Sequence, residues 1–121
     1  MIDWELVITP EDKFQTAKQA KFAEIATKRW EEETAPYLYA PKEAHFDTSE
    51  RSQIKYLQAL QKGMTVMWKT SDGWVEMTQP DFAGLIASYE AFVAELFLKE
   101  ATLMAQTQEA QTPEELNAIT W

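Results

Sequence analysis

Carboxylates are the side chains in this sequence that could most readily do chemistry. Glu31, Glu32 and Glu33 follow one another, and three adjacent acids could in principle hold a divalent ion. A hard cation needs oxygens that converge from a shaped loop, however, and a consecutive run on a helix fans outward into water. Glu100 is more informative. It lies at the middle of an apolar helical arc, in line with Phe82, Val93 and Leu96, where an isolated carboxylate would be costly to bury. Arg29 falls toward the Phe22 and Ile25 side of an earlier helical stretch, so an Arg29 to Glu100 ion pair joining two helices is expected. The alternative is that both side chains reach solvent separately. The one histidine, His45, has no cysteine to activate and no second histidine at metal-ligand spacing, and it alternates with Phe46 as a strand residue would. Gly63, Gly73 and Gly84 are dispersed, so no glycine-rich loop cradles a phosphate. No catalytic residue, metal site or cofactor is expected from these parts.

Such groups must be positioned by helices whose starts are legible. Thr9-Pro10-Glu11-Asp12, Asp47-Thr48-Ser49-Glu50, Thr78-Gln79-Pro80-Asp81 and Thr112-Pro113-Glu114-Glu115 each place a Thr or Asp ahead of a helical pattern with an acid three residues on. That spacing satisfies orphan N–H groups and complements the helix dipole, and it predicts four helices with Asp47 and Thr112 as caps. The first runs from about Pro10 to Glu33. The second, Ser49 to Lys62, sets Ile54, Leu57 and Leu60 on a narrow apolar stripe and stops at Gly63, a left-handed cap. The third, Pro80 to about Gln108, carries Phe82, Leu85, Ile86, Tyr89, Phe92, Val93, Leu96, Phe97, Leu103 and Met104 within an arc of roughly 140°. At ~1.5 Å per residue it would be some 40 Å long, with more apolar surface than the first two helices can cover.

Between the second and third helices, residues 65–70 and 74–78 alternate around Ser71-Asp72-Gly73, a strong hairpin signal with Asp72 and Gly73 making the turn. Trp68 and Trp74 flank that turn, where a packed pair is expected. A weaker hairpin is expected from Tyr37-Leu38-Tyr39 and Ala44-His45-Phe46 around residues 40–43, and a further short strand from Trp4 to Thr9. The order helix, hairpin, helix, hairpin, long helix, short helix, with no low-complexity linker, predicts a single α+β domain over residues 1–121, its small antiparallel hairpins packed on a helical layer.

The 121 residues carry twenty acids against eleven bases, a net charge of -9, which argues against nucleic acid or an anionic membrane as partner. The excess is uneven: residues 1–62 hold eleven acids and nine bases, residues 63–121 nine acids and only Lys69 and Lys99. There is no cysteine, hence no disulfide, thiolate nucleophile or Cys-ligated zinc. The start, Met1 to Glu5, lacks the basic and apolar runs of a signal peptide, so a cytoplasmic protein is expected. The third helix then becomes the candidate partner-binding surface through Phe92, Phe97, Leu103 and Met104, joined by Trp121, which is either folded back on the domain or offered to another chain. Homo-oligomerisation through this helix is a further possibility, as is capture of another protein.

The run His45-Phe46-Asp47-Thr48, then Ser52-Gln53, Trp68-Lys69-Thr70-Ser71-Asp72-Gly73-Trp74-Val75-Glu76-Met77-Thr78, Phe82, Glu100-Ala101 and Thr112-Pro113-Glu114-Glu115-Leu116 before Ile119 and Trp121 resembles a small domain of unknown function encoded by tailed bacteriophages and prophages. The resemblance covers roughly Ala17 to Trp121. Members of that group commonly lie in the tail-fibre region of the genome, next to or fused with tail-fibre assembly proteins. It implies a non-enzymatic accessory protein that binds the phage tail fibre or tail, as an assembly chaperone in the host cytoplasm or as a small component of the virion tail. No catalytic residues carry over. Met1 to Asp12 is short beside the separate N-terminal domain of some relatives, so this chain is expected to meet its partner with the domain itself. Two other classes compete: a metal-dependent hydrolase using Glu31, Glu32, Glu33 or Glu100, and an acidic phage-encoded inhibitor of a host protein, for which Asp81, Glu90, Glu95 and Glu109 are too scattered to mimic DNA.

Overall fold

The computed structural model describes residues 9–121. Its elements follow the order α1 (Pro10–Thr34), β1 (Tyr37–Tyr39), a 3-10 turn (Ala40–Lys42), β2 (Ala44–Phe46), α2 (Glu50–Lys62), β3 (Val66–Thr70), β4 (Gly73–Met77), α3 (Gln79–Glu109) and α4 (Pro113–Asn117). The fold is α+β, with two separate two-stranded antiparallel sheets, β1 with β2 and β3 with β4. The short strand expected from Trp4 to Thr9 falls outside the described residues except at Thr9, which serves α1 instead.

Helix starts use the threonines in the expected way. Thr9 Oγ1 accepts from the Asp12 amide at 3.0 Å while Asp12 accepts from the Thr9 amide at 3.3 Å. Thr78 and Asp81 repeat this reciprocal pair at the head of α3, at 2.8 and 3.3 Å. Thr112 Oγ1 accepts from the Glu115 amide at 3.1 Å. The second helix departs from the pattern. Its cap is Ser49, whose hydroxyl accepts from the Ser52 amide at 3.2 Å, and Asp47 stands behind the cap rather than in it. The physical reason is that Ser49 is the last residue with extended φ and ψ, so its oxygen is the one adjacent to the free amides. Gly63 ends α2 in the left-handed region at φ 63°, where a side chain would be strained.

The chain packs as two compact units, residues 9–30 with 97–121 and residues 31–96, and the boundary falls inside α1 and inside α3. The first unit is held by Ile25, Ala110, Leu116 and Ile119, with Phe14, Leu103, Met104 and Trp121 packed against them. The second has an aromatic core of Tyr39, Phe46, Tyr56 and Phe82 closed by Leu85, Met77, Ala44 and Ala59. Its rings meet edge to face, Phe46 on Tyr56 at 6.0 Å and Trp68 on Phe82 at 5.2 Å between centroids.

Three expectations about packing are corrected. Trp68 and Trp74 do not pair: Trp68 is opposite Val75 and Trp74 opposite Lys69, which sends the two indoles to opposite faces of the hairpin. Trp68 enters the core and Trp74 stays 64% exposed. Of the α2 stripe Ile54, Leu57 and Leu60, only Leu60 packs against the core. Tyr56 and Ala59 are buried instead, leaving Ile54 50% and Leu57 46% exposed, because the helix is rotated to bring the Tyr56 ring onto Phe46 and Trp68. Nor does α3 leave much apolar surface uncovered. Phe82, Leu85 and Leu96 are buried, and on that helix only Phe97 and Leu98 rank among the exposed large apolar side chains.

Gly84 marks a close approach within the second unit. A Cβ built there would collide with the Tyr39 hydroxyl, so the tip of that side chain lies against the α3 backbone where a side chain at position 84 would otherwise be.

Candidate functional site

The second unit contains an open groove of about 260 Å³ between α2, α3 and the first hairpin. Its floor is built by Tyr37, Phe46, Tyr56 and Leu85, one wall by Ile54 and Leu57 of α2, and the other by Ile86 and Tyr89 of α3. Asp47, Glu50 and Glu90 complete the lining together with Thr48 and Gln53, and among the described residues no Lys, Arg or His contributes to it.

The tyrosine rings are anchored by their hydroxyls. Tyr37 donates to Ser88 Oγ at 2.9 Å, Tyr56 to the Asp47 carbonyl at 2.8 Å and Tyr89 to the Glu33 carbonyl at 2.6 Å. Tyr37 and Tyr89 also stack at 5.3 Å between centroids. Burial pushes the Tyr56 phenol up to about 12, with the nearby Asp47 charge adding to the shift. Burial and Glu33 likewise raise Tyr89. Both remain neutral donors at neutral pH, and the floor is a fixed, uncharged surface.

Asp47 is the best-defined carboxylate on the rim. Both the Ser49 and Ser52 hydroxyls donate to its Oδ2 at 2.5 Å, and these bonds hold its carboxyl below the usual aspartate range despite some burial. Gln53 donates to the Thr48 carbonyl at 2.8 Å, and Thr48, itself buried, donates to the Ala35 carbonyl at 3.2 Å. Asp47 and Thr48, with Ser52 and Gln53 from the next motif noticed in the sequence, therefore form a hydrogen-bonded bracket at the head of α2, along the groove.

Other residues singled out from sequence lie elsewhere. Arg29 and Glu100 form their ion pair in the first unit, Nε to Oε2 at 2.5 Å, with both side chains less than one-fifth exposed. The Arg29 guanidinium also lies 4.8 Å over the ring of Phe97, which is 48% exposed. Leu103 and Met104 pack on the core of that unit. Trp121 folds onto the same core, half-buried beneath the Lys99 ammonium at 4.3 Å, so of the two fates open to it the structure takes the first. Phe92 packs at a tilt against Tyr37, 5.4 Å between ring centroids, and lines a wide, shallow hollow with Leu38 and Glu32. Of the five candidate partner-binding residues, Phe92, Phe97, Leu103, Met104 and Trp121, none lines the groove.

The turn of the second hairpin is made by Ser71 and Asp72 rather than by Asp72 and Gly73: Gly73 already pairs with Thr70, at φ 115°, and Asp72 does not take the left-handed conformation. Its carboxylate is used at a distance, accepting from the His45 amide at 2.7 Å and meeting His45 Nδ1 at 2.8 Å. The two hairpins are tied by this contact between residues 27 positions apart, and the hydrogen bonds from His45 lower the Asp72 carboxyl. Asp81 is lowered as well, first by the Thr78 amide and then by Lys42, 3.1 Å away. Among the described residues no group of three His, Asp or Glu side chains could hold a metal ion, and no helix is long and apolar enough to cross a membrane.

This is an α+β chain with an apolar, acid-rimmed groove on an aromatic floor. It belongs to the family described as Domain of unknown function (DUF4376), whose pattern matches residues 16–120. No curated protein and no solved structure matches the chain.

Proposed function

We propose that this chain is a non-enzymatic protein-binding accessory of a bacteriophage tail fibre, holding a fibre or tail protein as an assembly chaperone or as a small structural component of the virion. The observation that carries the binding role is the groove of the second unit. Two large aliphatic side chains, Ile54 and Leu57, stand half-exposed over an anchored aromatic floor. Completing the burial of each would contribute about 1 kcal/mol, half the usual value for a full side chain, before any contact with the floor. A preformed apolar cleft with a few polar groups on its rim suits recognition of another chain, because little ordering entropy remains to be lost on the cleft's side.

The phage setting is supported by the spaced residues from His45 to Trp121 and their likeness to proteins of the tail-fibre region. Co-expression with the adjacent fibre gene tests it. Fibre that becomes soluble and trimeric only with this chain, which is then missing from purified particles, marks a chaperone; retention in particles marks a structural component. If fibre is unaffected, no particle association occurs and a host protein is retained instead, the chain is an inhibitor and the fibre reading fails.

A further inference from the structure

The charge of the groove narrows what it can hold. Glu50 and Glu90 border the apolar walls, and Asp47 is kept ionised by two serine hydroxyls. With three carboxylates and, among the described residues, no cationic side chain lining it, an occupant of like charge would be repelled, and a neutral one would leave the rim charges less well solvated without compensation. A second copy of this chain, at net -9, is a poor electrostatic match.

We infer that the groove takes a polypeptide segment in which one or two apolar side chains are flanked by Lys or Arg, the apolar groups lying between Ile54, Leu57 and Ile86 and the cations meeting Glu50 and Glu90. This rests on the protein-binding role proposed above and adds the chemistry of the partner. Three features fit it together. The volume of about 260 Å³ is below the usual range for drug-sized ligands and suits side chains of a peptide. Ile54 and Leu57, one helical turn apart, offer a wall whose spacing matches that of apolar residues on an incoming helix. The rings of Tyr37 and Tyr89 are stacked and anchored beside the carboxylates, and aromatic faces with nearby acids favour the aliphatic stems and cationic heads of Lys and Arg.

The test uses a library of random twelve-residue peptides selected against the whole immobilised chain, with an Ile54→Ser/Leu57→Ser variant as counter-selection. The expected consensus is one or two apolar residues bordered by Lys or Arg. A synthetic consensus peptide should lose about tenfold in affinity to a Glu50→Lys/Glu90→Lys variant, lose a similar factor as salt is raised to several times physiological strength, and bind a Trp74→Ser control unchanged. Circular dichroism and melting check each variant. Should the serine pair unfold, the charge-reversed chain, altered only at exposed carboxylates, replaces it as counter-selection. A neutral or acidic consensus, affinity indifferent to the charge reversal, or no enrichment over the counter-selected chain overturns the inference. So does self-association in sedimentation that Leu57→Ser abolishes, which would assign the groove to a second copy. Neutral peptides bound in the groove would overturn the charge argument and leave the binding role standing; basic peptides bound while fibre is ignored would overturn the fibre assignment alone.

Discussion

Replacing Gly84 by alanine should have a sign that depends on one oxygen atom. In a helix interior a Gly→Ala change ordinarily stabilises by about 1 kcal/mol, since glycine loses the most backbone entropy on folding. Here the new methyl would collide with the Tyr39 hydroxyl, and that ring is held in place: Tyr39 is only 7% exposed and packs edge-on against Phe46 at 6.2 Å. Forcing a methyl into a packed site costs about 1–3 kcal/mol, so Gly84→Ala should destabilise the chain by about 1 kcal/mol net. With Phe at position 39 the next atom is the ring Cζ at 3.4 Å, close to ordinary contact. The same alanine should then stabilise by about 1 kcal/mol, giving a coupling near 2 kcal/mol between the two sites. Urea unfolding followed by tryptophan fluorescence measures all four proteins of the cycle, with the intrinsic cost of Tyr39→Phe cancelling. Alanine that stabilises in both backgrounds, or destabilises equally in both, would refute the close approach of the Tyr39 hydroxyl to Gly84.

Arg29→Met and Glu100→Leu should each cost about 1–3 kcal/mol by stranding a partly buried charge, and made together should cost less than the worse single change. A double variant as damaged as the sum of the singles would show no coupling. On acidification, Asp47, Asp72 and Asp81 all have folded pKa values below their ordinary 3.8, so the stability they supply is complete above that value and lost as pH falls through their lower folded values. An Asp47→Asn/Asp81→Asn chain should therefore show a flatter dependence of the urea midpoint on pH below about 4 than the parent. In alkali the raised phenol of Tyr56 favours the native state fully below its ordinary 10 and progressively less as pH rises through about 12. Tyr56→Phe should remove the last-titrating tyrosine from the tyrosinate absorbance curve, and an unchanged curve would contradict its burial.

What could be read along the sequence was local. Thr9, Thr78 and Thr112 announce their helices because a cap acts over three residues, and Ser71-Asp72-Gly73 announces its hairpin because a turn acts over four. Rotation about a helix axis is a different matter. On α2 the stripe Ile54, Leu57, Leu60 and the set Tyr56, Ala59, Leu60 are both apolar faces of one amphipathic helix, and only tertiary contact with Phe46 and Trp68 decides between them. The groove follows from that decision, so its wall was visible as residues but not as a surface. The surplus of apolar residues on α3 likewise looked like an interface because sequence cannot show that α3 serves the cores of two units, with their boundary inside the helix. In the sequence His45 carries no role and Asp72 only that of a turn residue, because nothing local relates a strand residue to a turn in another hairpin.

The central claim is that the groove of the second unit is where a partner chain is held. Amide hydrogen exchange of this chain alone and in complex with the co-expressed fibre protein tests it most directly. Protection confined to residues 47–57 and 85–90, and lost with Leu57→Ser, is the predicted result. Protection confined to residues 97–121, or a complex whose formation leaves residues 47–57 and 85–90 unchanged, would contradict it.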